Sequence, residues 1–82
     1  MDLDPLGEVP LYVQLADLLR EQIRTGEIPA GRAIPSRAAL KREHGVGGQT
    51  INRAVSLLRD DGLVRWSRGK GLYVVPPEER KG

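Results

Sequence analysis

The stretch HGVGGQTINRAVSLLRDDGLV, His44 to Val64, decides how this chain folds. Within it Ile51, Ala54, Val55 and Leu58 recur at the spacing of a helix with one apolar face. Thr50, Asn52, Arg53, Ser56 and Arg59 fall off that stripe. The pattern predicts a helix from Gln49 to Asp61, ended by Gly62. Upstream, Gly45-Val46-Gly47-Gly48 reads as a tight connector. Before the connector, Ser36 is suited to cap another helix, Arg37 to His44, with Ala38, Ala39 and Leu40 for packing. Two short helices joined by such a turn form a helix-turn-helix. The second helix of that motif enters the DNA major groove and presents its N-terminal residues to base edges. Those residues here are Gln49, Thr50, Asn52 and Arg53. Gln and Asn can bond adenine in bidentate fashion, and Arg can do the same to guanine. Thr can touch a phosphate or a thymine methyl group.

Downstream of Gly62 the period changes. Leu63 to Trp66 and Leu72 to Val75 read as strands rich in β-branched and aromatic residues. Between them Ser67-Arg68-Gly69-Lys70-Gly71 reads as a hairpin loop with two cations at its tip. Gly69 and Gly71 permit positive φ there. Pro76-Pro77 ends the second strand. Such a hairpin is a wing suited to an adjacent groove or to phosphates.

Farther upstream, Pro10 opens a helix whose stripe is Leu11, Leu15, Leu18, Leu19 and Ile23, ended by Gly26. Its polar side predicts the ion pairs Asp17–Arg20 and Glu21–Arg24. Ile28 to Gly31 is a turn. Arg32 to Ile34 is short and extended, since the residue before Pro35 is pushed out of the helical region. The fold class is α+β, mostly helical: a winged helix-turn-helix of three helices and a small β-hairpin. Residues 1–9 form a flexible lead-in, 10–76 the DNA-binding domain, and 77–82 a tail or the start of a linker.

Composition excludes much else. The chain has 82 residues and no Cys, which fits one small domain and removes a disulfide framework and a Cys-based metal site. No apolar run approaches a membrane span, and the acidic N-terminus is unlike a signal peptide. The expected location is the cytoplasm, with no membrane partner. One His is present, and no nucleophile–base pairing, carboxylate dyad or phosphate-cradling loop is visible. The chain is therefore not expected to be an enzyme or to carry a metal or cofactor. Phe is absent, so the core must be aliphatic.

The net charge of +2 hides an asymmetry. Residues 1–31 carry Arg20 and Arg24 against six acids, a balance of −4. Residues 32–70 carry nine cations (Arg32, Arg37, Lys41, Arg42, Arg53, Arg59, Arg65, Arg68, Lys70) against Glu43, Asp60 and Asp61, a balance of +6. A basic segment of this kind steers toward phosphate polymers.

With these residues in place, the sequence resembles the GntR family of bacterial winged helix-turn-helix regulators. The resemblance runs from Pro10 to Val75 through PLYVQLADLLREQIRTGEIPAG, IPSRAAL, HGVGGQTINRAVSLLRDDGLV and RGKGLYV. It implies a regulator that binds double-stranded DNA as two copies at a two-fold operator, with repression by promoter occupancy as the default. The pair is a homodimer either before or on binding DNA. The implied contacts are Ser36, Arg37, Gln49, Thr50, Asn52, Arg53, Arg68, Gly69, Lys70 and Gly71. Four positions depart from the family pattern. Arg37 stands where a Glu is usual, Gly47-Gly48 where Ser-Arg is usual, and Asn52 where Arg is frequent. Arg37, Arg53 and Arg68 are expected to supply part of the missing charge.

Plainer roles compete at several positions. Ser36 serves first as a helix cap, and Arg59 as a surface ion pair with Asp60 or Asp61. Trp66 is expected to pack under the wing, and Tyr12 to be free to meet a second subunit. Family members usually carry a larger metabolite-binding domain, so no small-molecule effector site is expected within this length. Both a DNA-binding unit ending at a linker and a free-standing small regulator fit. From another class, a winged-helix protein-interaction module would use the same surface.

Overall fold

Of the three helices, the middle one has a side-chain cap at its start. In the computed structural model, which describes residues 3–80, α1 spans Leu11–Thr25, α2 Arg37–His44 and α3 Gly48–Asp60. The first two residues of the expected lead-in and the last two of the expected tail lie outside the described residues. The Ser36 Oγ accepts a hydrogen bond from the Ala39 N–H at 3.1 Å, so Ser36 caps α2 as its sequence position suggests. Gly45 ends α2 at φ 66°, a conformation that costs other residues more, and its N–H bonds back to the Lys41 carbonyl.

The apolar stripes meet in one aliphatic core. Leu15, Leu19, Leu40, Ile51, Leu58, Val74 and Val75 are fully enclosed. The four stripe residues expected on α3 are all buried, and α1 packs chiefly on α3. In α2 the burial is concentrated on Leu40, and Ala38 is exposed. Enclosing one Leu or Ile side chain contributes about 1.5–3 kcal/mol, which makes this cluster the main support of so small a domain.

Strands β1 (Val64–Ser67) and β2 (Gly71–Val74) pair antiparallel, with Val64 opposite Val74 and Trp66 opposite Leu72. Both begin and end one residue away from the expected limits. The short extended piece joins them as a third line of pairing. The Ile34 N–H donates to the Leu72 carbonyl, and the Val74 N–H to the Arg32 carbonyl, at 2.9 and 2.8 Å. This clamp ties the wing to the segment leading into α2.

Side-chain hydrogen bonds also reach the segments that flank the three helices and the hairpin. The Gln14 amide accepts from the Asp4 N–H and donates to the Asp4 and Val9 carbonyls. Pro77–Glu79 form a 3-10 turn, after which Arg80 Nε donates to the Val75 carbonyl at 3.0 Å. No helix among the described residues is long and apolar enough to cross a membrane.

Candidate nucleic-acid interface

Two arginines of α1 claim three of the acids from within. Arg20 donates to Asp17 and Asp61, at 2.7 and 2.6 Å, and so ties α1 to the end of α3. Its hydrogen bonds to Asp61 raise the guanidinium pKa above its ordinary value. Arg24 pairs with Glu21, whose carboxyl is held below its usual range by the hydrogen bond to that guanidinium. Both ion pairs expected on α1 are therefore present. Arg59, expected to pair with Asp60 or Asp61, makes no ion pair among the described residues, and Asp61 is bonded to Arg20 instead.

Among the described residues, none of the nine cations of 32–70 is in an ion pair. The +6 balance of that segment is thus an unneutralised surface charge. This is what a site for a polyanion requires, since each bound phosphate displaces counterions rather than an internal carboxylate.

Helical geometry distributes the α3 side chains around its buried stripe. Gln49, Asn52 and Arg53 are exposed, and Thr50 is half-buried. Asn52, Ser56 and Arg59 follow one another at spacings of four and three along the flank facing the wing. Arg53 leans the other way. Its guanidinium carbon lies 5.6 Å from the centre of the Tyr12 ring on α1, a cation–π contact. Tyr12 is half-buried against the core and supports Arg53. The sequence had left Tyr12 free for a second subunit.

The remaining predicted site residues sit at α2 and at the wing. Ser36 and Arg37 are exposed at the N-terminus of α2. Arg68, Gly69 and Lys70 form the exposed tip between the strands, with Gly71 opening β2. Gly69 has φ 116° and Gly71 φ 75°, so the tight tip depends on both. Lys70 Nζ lies 5.1 Å from the centre of the Tyr73 ring, which holds it along the outer face of the wing.

Between α3 and the wing runs an open trough of about 840 Å³. Arg37, Asn52, Ser56, Arg59, Trp66 and Leu72 are among its lining residues. It exceeds the roughly 300 Å³ of a small ligand pocket, yet it is an open channel between two elements. Trp66 is 66% exposed there. This corrects the expectation that it packs beneath the wing. Its strand position shares the inner face with Val64, but α3 offers it Asn52 and Ser56 across the trough instead of an apolar lid.

Comparison with known proteins follows this geometry. The model of bacterial regulatory proteins of the gntR family matches residues 11–74. The chain is 41% identical over 75 residues to the mannosyl-D-glycerate transport/metabolism system repressor MngR of Escherichia coli (strain K12), covering 92% of this chain and 30% of that protein. It is 36% identical over 74 residues to the histidine utilization repressor of Pseudomonas putida, covering 90% and 30%. The chain therefore spans about 30% of the length of these curated relatives. Among solved structures it resembles YtrA from Sulfolobus acidocaldarius, a GntR-family transcription factor, with a TM-score of 0.81 and 31% identity over 92% of this chain and 79% of that one. It also resembles AraR(DBD) in complex with operator ORR3, with a TM-score of 0.75 and 31% identity over 88% and 90%.

Proposed function

Because the chain belongs to the gntR family of bacterial regulatory proteins and has its winged helix-turn-helix fold, we propose that it reads double-stranded DNA sequence-specifically and represses transcription by occupying a promoter. The observation that carries this is the set of nine cations in the segment that contains α2, α3 and the wing, none of them in an ion pair among the described residues. AraR(DBD), a similar fold, was solved in complex with an operator, which supports the same use here.

The work divides among the elements. Gln49, Thr50 and Asn52 meet base edges and methyl groups in the major groove from the first turns of α3. Ser36 fixes α2, and Arg37 beside it meets a phosphate. Arg53 meets a phosphate on the α1 side, held in place by Tyr12. Arg68 and Lys70 take the adjacent groove or its phosphates, while Gly69 and Gly71 shape the tip. Two copies place their α3 helices in successive major grooves about 34 Å apart, so the operator has two-fold symmetry. The chain acts in the cytoplasm, and polymerase is excluded while it is bound.

Selection from a pool of random duplexes tests this. An enriched palindrome with half-sites about one helical turn apart is the expected result. Retention of duplexes without any enriched sequence, or no retention at all, would overturn sequence-specific reading and favour a module that contacts proteins.

A further inference from the structure

A protein whose α3 lies in one groove and whose wing tip lies in the next must straddle what separates them. In B-form DNA the major and minor grooves are separated by a single sugar–phosphate strand. In the DNA-bound arrangement proposed above, the trough between α3 and the wing would face that strand. Trp66 stands on the wing side of the trough, two-thirds exposed, and is the chain's sole Trp.

We infer that Trp66 packs on the sugar–phosphate strand running through this trough and is itself a DNA-contacting residue. The inference rests on the DNA-binding reading above. The indole suits such a strand on both counts. Its ring is apolar and covers a deoxyribose face, and its N–H is a donor with no acceptor, matched to a phosphate oxygen that can only accept. Its surroundings agree. Across the trough, beyond Asn52, stands Ser56, able to donate to phosphate, with Arg37 and Arg59 in no ion pair among the described residues. The acids of the trough are Asp60 and Asp61, where the chain leaves α3, and Glu79 beyond β2; Asp61 is already bonded to Arg20. A single exposed apolar residue is common on any surface. An exposed indole in a channel lined by such cations and a hydroxyl donor has a polyanion as its complement.

The same residue supplies the assay. With one Trp in the chain, intrinsic emission reports on this position alone. A fluorescein-labelled duplex recovered by the selection is titrated with the protein. Anisotropy reports binding, and acrylamide quenching reports the exposure of Trp66. The expected result is that quenching falls at least twofold as anisotropy saturates. Trp66→Ala should weaken binding about fivefold, the weight of a partly covered indole, and Trp66→Phe should recover part of the loss. Far-ultraviolet dichroism of each variant confirms the fold. If anisotropy saturates while Trp66 stays fully quenchable and Trp66→Ala binds like the parent, the inference is overturned and the DNA-binding reading stands. If protection of Trp66 instead rises with protein concentration without DNA, the trough is an interface between copies and the inference also fails. If no duplex binds, the reading itself fails and takes the inference with it.

Discussion

Replacing Arg68 with Ala should change the salt dependence of DNA binding by a calculable amount. Arg37, Arg53, Arg68 and Lys70 are the four cations assigned to phosphates, and none is in an ion pair among the described residues. Each phosphate neutralised contributes about −0.9 to the slope of log K against log salt, so four give about −3.6 for one protomer. Between about 50 and 200 mM salt the affinity of one protomer should then fall roughly 150-fold. Arg68→Ala should reduce the slope by about 0.9, with the largest loss of affinity at low salt. The matched control is Arg24→Ala. That guanidinium is already paired with Glu21 on the outer side of α1, so its removal should leave the slope where it was. Anisotropy titrations of a labelled duplex of about 30 base pairs, long enough for two half-sites, measure all three slopes. A parental slope shallower than about −1, or an equal change for Arg24→Ala and Arg68→Ala, would refute phosphate contact by the unpaired cations.

Three further outcomes separate structural from DNA-contacting roles. Ser36→Ala removes the acceptor for the Ala39 N–H and should cost about 1 kcal/mol in urea unfolding, while the sequence recovered in selection stays the same. Leu58→Ala opens a cavity at a fully enclosed position and should cost about 2–5 kcal/mol, enough to unfold a large share of a domain whose total stability is of order 4–12 kcal/mol. Gly71→Ala meets nothing within 4 Å, so its penalty is conformational alone. At φ 75° it should cost about 1–2 kcal/mol in thermal unfolding and weaken duplex binding through the displaced tip.

Local signals made the helices legible. Ser36, Gly45 and Gly26 mark helix ends through chemistry that acts within a few residues. The α3 stripe then fixes which face is buried. The same holds for Asp17–Arg20 and Glu21–Arg24, neighbours by helical spacing. What escaped depends on approach between segments distant in sequence. Nothing in Arg53 or Tyr12 alone announces that their elements cross at that point. The Arg20–Asp61 bridge is equally invisible until α1 lies on α3. Trp66 was misread for a different reason. Alternation correctly puts it on the inner face with Val64, but inner does not mean covered. Asn52 and Ser56, already recognised as lying off the α3 stripe, were the available clue that the opposite wall is polar. The strand limits moved by one residue because the two positive-φ glycines tighten the tip, and the ladder continues to Ser67 opposite Gly71.

The Tyr12 contact also bears on which bases are read. An arginine reaches guanine through two parallel hydrogen bonds and must project freely from the helix to do so. Arg53 instead lies over the Tyr12 ring on α1, where its charge remains available to a backbone phosphate. With Gly47 and Gly48 contributing no side chain, the exposed amides at the start of α3 are Gln49 and Asn52, the residues proposed above to read bases. Amides pair in bidentate fashion with adenine, so the enriched half-site should carry A·T pairs at the two positions these residues address. Asn52→Arg should convert one of them to G·C in a repeat of the selection, with discrimination of about 1–3 kcal/mol against the former base. Tyr12→Leu, which frees Arg53, should add a guanine preference at a third position. Parental half-sites dominated by guanine at the α3 positions would show that Arg53 leaves Tyr12 on binding. The cation–π contact would then be a resting place for that side chain, with no part in orienting the reading helix.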